Sequence, residues 1–381
     1  MKILHVTPSI ERRYGGPTQS LAGYVAASAS EGIEASVAAP RAQVADTDRL
    51  LNAGAIEVLT FASTGDGGLA RSRSLIRWLS RHARSFDVVH VHGLFNFIST
   101  LSARAAARRE VALVMRPFGT LSRYTFTHRR AALKRVWFSA LERPNLLAAR
   151  GIHFTTAMER DGARWLGVPL DGKSHVVPPP FMDMGAGAET SGAATGAQGN
   201  IVLFVGRLHP VKNLESLINA WPSVERALPG SRLVIGGSGK ETYELALQNC
   251  ARAGGRRPNI EFTGFLAESA RDEWLSRAAL VVLPSHHENF GVAALEALAA
   301  GIPVVVSPHV QLAEFIVSNG LGVVSDTSPE PLAQAITAAL GNGALREKVR
   351  CSGKEIVESS FGIDSIGTRL RAMYVAVLNE H

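Results

Sequence analysis

Cysteine is nearly absent. Cys250 and Cys351 are the only two in 381 residues, too few for a disulfide framework and without metal-site spacing. A reducing cytoplasm is therefore the expected compartment. Long apolar runs are missing as well: the longest, Ala297 to Val306, has ten residues and contains Gly301 and Pro303, far short of a membrane span. The opening residues, Met1 to Pro8, break too soon for the apolar region of a secretory leader and read as a first strand. Neither export nor integration into a membrane is expected. With 46% hydrophobic and 19% charged residues the chain is no disordered tail or fibrous repeat, and its length suits two or three domains with sizeable cores.

Acidic residues are scarce in one half only. The net charge of +7 divides into +10 over residues 1–183 and −3 over the remainder. Arg71, Arg73, Arg77, Arg81 and Arg84 share one stretch without an acid. A second stretch, Arg123 to Arg143, carries Arg129, Arg130, Lys134 and Arg135 around Leu133, Val136, Trp137, Ala140 and Leu141, which recur at helical spacing. That pattern predicts a basic amphipathic helix. It either packs its apolar side into its own core or rests on an anionic membrane, where each cation adds only about 1 kcal/mol. Zinc-finger spacing, stacking aromatics and basic-zipper heptads are all missing, so a nucleic-acid partner is not expected.

The recurring unit along the chain is a short apolar run, a turn and an amphipathic helix. Strands are predicted at Lys2–Thr7, Glu34–Ala38, Ile56–Leu59, Asp87–Val91, Val111–Met115, Ile152–Thr155 and Ser174–Val177. A second set follows at Asn200–Val205, Arg232–Ile235, Ile260–Phe262, Leu280–Leu283, Pro303–Val306 and Gly322–Val324. Such alternation predicts parallel sheets covered by helices on both faces. Pro178-Pro179-Pro180 and the Gly/Ala-rich stretch to Gly196 interrupt it. The reading is an α/β chain of two Rossmann-like domains whose parallel sheets face a central cleft: residues 1–183, a flexible linker at 184–199, and residues 200–364. Open α/β sheets bind ligands beyond the carboxyl ends of their strands, so such a cleft suits two substrates.

The strongest motif runs from Leu283 to Pro303. A buried strand ends at Pro284, a polar loop carries Glu288, Asn289 and Phe290, and a helix opens near Gly291 and Val292. Glycine permits close backbone approach, and a helix N-terminus suits a phosphate. Glu296, one to two turns into the helix, suits the hydroxyls of a ribose; Glu288 suits a second hydroxylated group beyond the phosphates. Two carboxylates flanking an anion site fit a sugar–diphosphate–nucleoside. A second element, Gly206 to Asn213, places Arg207 and Lys212 after a strand, where a diphosphate would arrive. In the first half, Gly15-Gly16 follows strand one, and His90-Val91-His92-Gly93 puts His92 at a cleft rim, either as a hydroxyl ligand or as a satisfied structural histidine. Arg116 and Gly119, after the next strand, add acceptor contacts. Gly236 to Glu241 only mimics a P-loop, because Glu241 stands where Ser or Thr is required. Adjacent His286 and His287 rarely share one ion, and a nucleophile elbow is missing, as is a Gly-x-Gly-x-x-Gly turn after strand one.

These motifs, in this order, make the chain resemble the retaining family-4 glycosyltransferases of the GT-B fold (glycosyl transferases group 1) over nearly its whole length. The resemblance implies that Arg207 and Lys212 hold the donor diphosphate. It further implies that Glu288 binds donor-sugar hydroxyls beside Asn289 and the Phe290, Gly291 and Val292 backbone, and that Glu296 binds the ribose. Gly15 and Gly16 would approach the phosphates, and His92 would lie near the reacting carbon. Glu288, Lys212, Arg207 and His92 are thus the implied catalytic set, and His92, Arg116 and Gly119 the acceptor set. The family has Gly where this chain has Asn213. A last helix at 365–381 is expected to return to the first domain. The implied donor is a UDP- or GDP-sugar, used without metal or other cofactor. The acceptor is a glycan or lipid-linked hydroxyl of bacterial surface polysaccharide synthesis, reached in the cytoplasm or on the membrane's cytoplasmic face. The competing readings are an epimerase or sugar phosphorylase of the same fold, and a catalytically idle nucleotide-sugar-binding scaffold.

Overall fold

The computed structural model describes residues 1–11, 16–65, 69–127, 131–182, 200–253 and 259–379, which form two compact units. Residues 1–182 with 360–381 make the first, residues 183–359 the second. Gly15, the 184–199 stretch, Arg129 and Arg130 lie outside the described residues.

The first unit alternates β1 (Lys2–Val6), α1 (Gly16–Ser30), β2 (Glu34–Pro40), α2 (Val44–Asn52), β3 (Glu57–Phe61), α3 (Arg73–His82), β4 (Val88–His92), α4 (Phe97–Ala107) and β5 (Ala112–Arg116). Three short helices follow, α5 (Arg123–Thr127), α6 (Ala131–Trp137) and α7 (Arg143–Ala148), then β6 (Gly151–Phe154), α8 (Ala157–Ala163) and β7 (Ser174–Val176). The second unit runs β8 (Ile201–Val205), α9 (Leu214–Ala227), β9 (Arg232–Gly236), α10 (Glu241–Arg252), β10 (Ile260–Gly264), α11 (Glu268–Arg277), β11 (Leu280–Leu283) and α12 (Val292–Ala299). It ends with β12 (Val304–Val306), α13 (Ala313–Asn319), β13 (Gly322–Val324), α14 (Pro329–Gly341) and α15 (Gly343–Phe361). Helix α16 (Ile363–Asn379) belongs to the first unit and packs along α1.

All strand pairs are parallel, in the orders β3-β2-β1-β4-β5-β6-β7 and β10-β9-β8-β11-β12-β13. The central strands β4, β5, β11 and β12 are buried at every residue, as expected of parallel strands covered on both faces. Local chemistry sets where helices begin: the side chains of Ser72, Asn96 and Thr156 accept from the amides of Leu75, Ser99 and Glu159 at the starts of α3, α4 and α8. In each sheet the order reverses beside the first strand, between β1 and β4 and between β8 and β11. Such switch points splay the connecting loops apart and leave a crevice at the strand ends.

Within the basic stretch Arg123 to Arg143, α6 runs without a break through a π-helical turn at Phe138–Glu142 into α7. Buried Glu142 causes the turn to face inward, because its carboxylate accepts from the Phe95 amide (2.8 Å), Thr100 Oγ1 (2.6 Å) and Trp137 Nε1 (2.9 Å). The extra residue of a π turn rotates the face. Phe138 is then buried, whereas Leu133 and Val136 stand 56% and 67% exposed.

Candidate active site

The second unit gathers its charged residues at the β8–β11 switch point. After β8 the chain passes Gly206 and exposed Arg207 into a tight turn, Pro210–Lys212. Gly206 N donates to Gly236 O (3.0 Å) and Leu208 N to Ser238 O (2.9 Å), so the glycine run that mimics a P-loop serves as the neighbour of this loop. Asn213 then takes a left-handed conformation (φ +55°), which asparagine tolerates better than most residues. Its buried amide donates to Pro284 O (3.2 Å) and Thr327 O (2.8 Å). The departure from glycine thus adds a tie between the β8 and β11 exits. A further one comes from His286 N, which donates to Val211 O (2.8 Å).

That bracing brings Lys212 and Glu288 into direct contact. Lys212 Nζ donates to Glu288 Oε2, with both side chains about four-fifths buried at 16% and 19% exposure. Glu288 is itself pinned: its amide donates to His309 O (3.2 Å), and it bridges Val310 in parallel. Asn289 Oδ1 is buried and accepts no hydrogen bond among the described residues. Phe290 is 5% exposed and Val292 38%. Gly291 caps α12 at φ +99°, where a Cβ would lie 3.0 Å from Val310 Cγ1, so any side chain there would be both strained and crowded. Glu288 Cγ lies 3.8 Å from that Cβ position, so the N-terminus of α12, the positive end of the helix dipole, opens beside Glu288.

Farther along α12, Glu296 meets a partner that spacing did not suggest. Arg271 of α11 lies with Nη1 3.1 Å from Glu296 Oε1, the two side chains 16% and 18% exposed. Both candidate donor carboxylates are thus neutralised, one by lysine and one by arginine.

In the first unit, the strand ends of β1, β4, β5 and β6 carry a row of buried polar groups. Parallel register sets His5 beside His90 and His92 beside Arg116. His92 was expected at a rim; it is 1% exposed, stacked on His90 with ring centroids 4.4 Å apart, and flanked by Phe118. Arg116 is equally buried, its guanidinium 4.4 Å from the Tyr24 ring and 3.9 Å from the Phe118 ring, and it donates to Ser20 Oγ (3.2 Å). The Gly119 amide is committed to Glu159 Oε1 at 2.5 Å. Arg116 and Gly119 therefore brace the loop after β5. Tyr24 of α1 and Tyr374 of α16 close over the sheet, and Glu159 of α8 holds the loop.

The protonation pattern of this row follows from one carbonyl. Val177 O can only accept, so His153 Nε2, 2.7 Å away, carries a proton; His153 Nδ1 then accepts from His90 Nε2 (3.2 Å). His90 Nδ1 in turn accepts from the Tyr374 hydroxyl (2.9 Å). His5 Nδ1 and His92 Nε2 share one hydrogen bond at 2.9 Å, leaving His5 Nε2 and His92 Nδ1 buried without a hydrogen-bond partner among the described residues. Burial, reinforced by Arg116, holds His5 down to about 3 and keeps His92 and His153 well below the usual histidine range; for His90, burial acts first and the neighbouring histidines next. His5, His90 and His92 are the one grouping among the described residues close enough to share a metal ion. Both His90 nitrogens are already engaged and Arg116 adds positive charge, so the set suits a neutral hydrogen-bonded chain better than a cation.

Residues 192–356 match the family described as glycosyl transferases group 1, and residues 15–180 match the glycosyl transferase 4-like domain. An uncharacterized glycosyltransferase of Methanocaldococcus jannaschii is 35% identical over 176 residues, 46% of this chain and 44% of that protein. The GDP-mannose:cellobiosyl-diphosphopolyprenol alpha-mannosyltransferase of Xanthomonas campestris is 25% identical over 242 residues, 63% of this chain and 61% of that one. The chain spans less than half the length of the first curated relatives it matches. Among solved structures, Anabaena HepE in complex with UDP is similar in fold, with a TM-score of 0.73, 18% identity, and coverage of 98% of this chain and 99% of that one.

Proposed function

Because the chain belongs to the group 1 glycosyltransferases of the GT-B fold, we propose that it moves a sugar from a nucleoside-diphosphate sugar to a hydroxyl of a glycan or lipid-linked acceptor, with retention of the anomeric configuration. The observation that carries this reading is the Lys212–Glu288 pair at the β8–β11 switch point, set against the N-terminus of α12. Arg207, Lys212 and the first-turn amides of α12 receive the diphosphate and stabilise it as leaving group. The orphan Asn289 Oδ1 and the Glu288 carboxylate take sugar hydroxyls, and Glu296 takes the ribose. In the first unit His92 Nδ1, which like His5 Nε2 is buried without a hydrogen-bond partner among the described residues, is the atom we assign to a hydroxyl ligand. Positive charge and helix dipole do the neutralising that a divalent ion does elsewhere, so the reaction runs without metal. Attack on the same face as departure, assisted by the leaving diphosphate, gives retention without a protein nucleophile. HepE was solved with UDP and with UDP-glucose, and the Xanthomonas relative is named for GDP-mannose, which makes uridine and guanosine the first donors to try. A polyprenol-linked acceptor in bacterial surface polysaccharide synthesis is the matching acceptor class.

The test is incubation with UDP- and GDP-sugars and lipid-linked or free glycan acceptors, followed by proton NMR of the product. The expected result is acceptor-dependent release of nucleoside diphosphate and an anomeric coupling matching the donor. An inverted product removes retention, free epimerised donor favours the epimerase, and nucleotide binding without turnover favours the idle scaffold.

Exposed Leu133 and Val136 beside exposed Arg135 on α6 fit a peripheral anchor, since apolar and basic side chains together bind an anionic bilayer. Among the described residues, no helix is long and apolar enough to cross a membrane. Flotation with phosphatidylglycerol vesicles is expected to carry the wild-type chain upward and to lose most of it in Leu133→Ser/Arg135→Glu/Val136→Ser. Equal flotation of the two would discard the anchor.

A further inference from the structure

We propose that Arg271 is the positioning residue that makes Glu296 selective for a ribose. This rests on the reading of Glu296 as the ribose ligand and adds a residue that the motifs do not contain. The two side chains come from different helices, Arg271 from α11 and Glu296 from α12, and meet at 3.1 Å in a setting where each is more than four-fifths buried. A guanidinium fixes such a mostly buried carboxylate firmly, because its planar donors constrain direction as well as supplying charge, here through Nη1 to Oε1. Asp272 lies 3.5 Å from Arg271 Nε, so the arginine is itself flanked by an acid on the side away from its Glu296 contact.

The charge pattern around the switch point explains why such a partner is needed. A nucleoside diphosphate brings negative charge to a region that already holds the carboxylates of Glu288 and Glu296, with Asp272 beside Arg271. Lys212 neutralises Glu288, and Arg271 neutralises Glu296. With both pairs in place, Arg207 and the α12 N-terminus leave the region attractive to an anion. Remove Arg271 and the mostly buried Glu296 carboxylate loses the guanidinium's charge and aim; it then either repels the diphosphate more strongly or picks up a proton. Either outcome degrades its grip on a diol, which needs an ionised acceptor held in one orientation. A carboxylate offers about four lone-pair sites, so one guanidinium contact is compatible with accepting from both ribose hydroxyls.

The experiment is isothermal titration of the full chain with UDP, GDP and their 2′,3′-dideoxy forms. Hydrogen bonds to a charged group predict that wild type prefers the ribose form of its nucleotide by about tenfold or more. Glu296→Gln and Arg271→Met are each expected to reduce that preference to about threefold or less, and the double variant to go no further, because both act through one carboxylate. Arg271→Lys, which keeps the charge but not the fork, is expected to retain part of the preference. Thermal unfolding alone cannot mimic this pattern, since a merely structural arginine would weaken both forms of the nucleotide equally. A full ribose preference in Arg271→Met, or in Arg271→Lys should Arg271→Met not fold, overturns the role of Arg271 while leaving Glu296 in place. Equal binding of ribose and dideoxy forms by wild type overturns both.

Discussion

Replacing Lys212 with alanine is expected to slow sugar transfer by about 10²–10³-fold, the scale for removing one preorganised group from a developing anion. The unfolding temperature should move by no more than a few degrees. Lys212 stands on a turn braced by Asn213 and by the bond from His286 to Val211, so the backbone of the site survives the loss of one ammonium group. The chemistry does not. The ammonium is the cation in direct contact with Glu288, and without it a mostly buried carboxylate is left alone where the diphosphate must sit. Glu288→Ala is expected to cost a similar factor for the complementary reason, loss of the sugar contact. The double variant should be no more than a few-fold worse than either single one, because the two residues act as a unit. Steady-state rates on the donor identified by NMR decide the matter. A loss below about fivefold in Lys212→Ala, or fully multiplicative losses in the double variant, would take the pair out of the reaction.

Acid is expected to destabilise the first unit well before ordinary acid denaturation. His5, His90, His92 and His153 are buried and neutral, and each prefers its neutral form in the folded state more than in the unfolded chain. The sign follows from proton counting: below about pH 6.5 the unfolded chain binds protons that the folded unit refuses, so stability present above that pH is lost as pH falls. A histidine held to about 3, as His5 is, costs roughly 2 kcal/mol by pH 5. His90, His92 and His153 act in the same direction. Buried Glu142 and Glu159 act in the opposite sense: burial raises both, so they recover part of that stability as pH falls through their raised folded values toward 4.5. Scanning calorimetry should show one transition flat from pH 8.5 to 7.5 and then falling by at least a few degrees by pH 5.5, the size of shift that about 1–2 kcal/mol produces. Transitions that all stay constant across that range would mean the histidine row is hydrated or already charged.

Much of the fold was legible because its signals are local. The strands were read from apolar runs between turns, and all thirteen are present with ends moved by a residue or two. Helix α15, nineteen residues long, went unread. Its buried stripe is Val349, Val357 and Phe361, and the position that would complete the helical spacing is Gly353. A Cβ at Gly353 would fall 2.4 Å from Leu298 O at the end of α12, so close approach of two backbones removed the very side chain that periodicity needs. The donor carboxylates were legible for the opposite reason, since Glu288, Gly291 and Glu296 lie on one loop and the helix it opens. Their partners were not. Contact between Glu288 and Lys212 depends on the β8–β11 pairing, and Arg271 reaches Glu296 from another helix. The histidine row needed the β1–β4 register, which brings His5 beside His90 across 85 residues of chain. The exposure expected of His92 failed because the last residue of a central strand is still covered when helices on both sides of the chain's ends fold over it.

Calorimetric titration of the wild-type chain with UDP, GDP and ADP at pH 7.5 tests the nucleotide site most directly. Saturable binding of at least one of them at micromolar concentration, weakened at least about tenfold in Lys212→Ala, is the predicted result. Failure of all three to bind up to millimolar concentration, in a chain whose unfolding is cooperative, would contradict it.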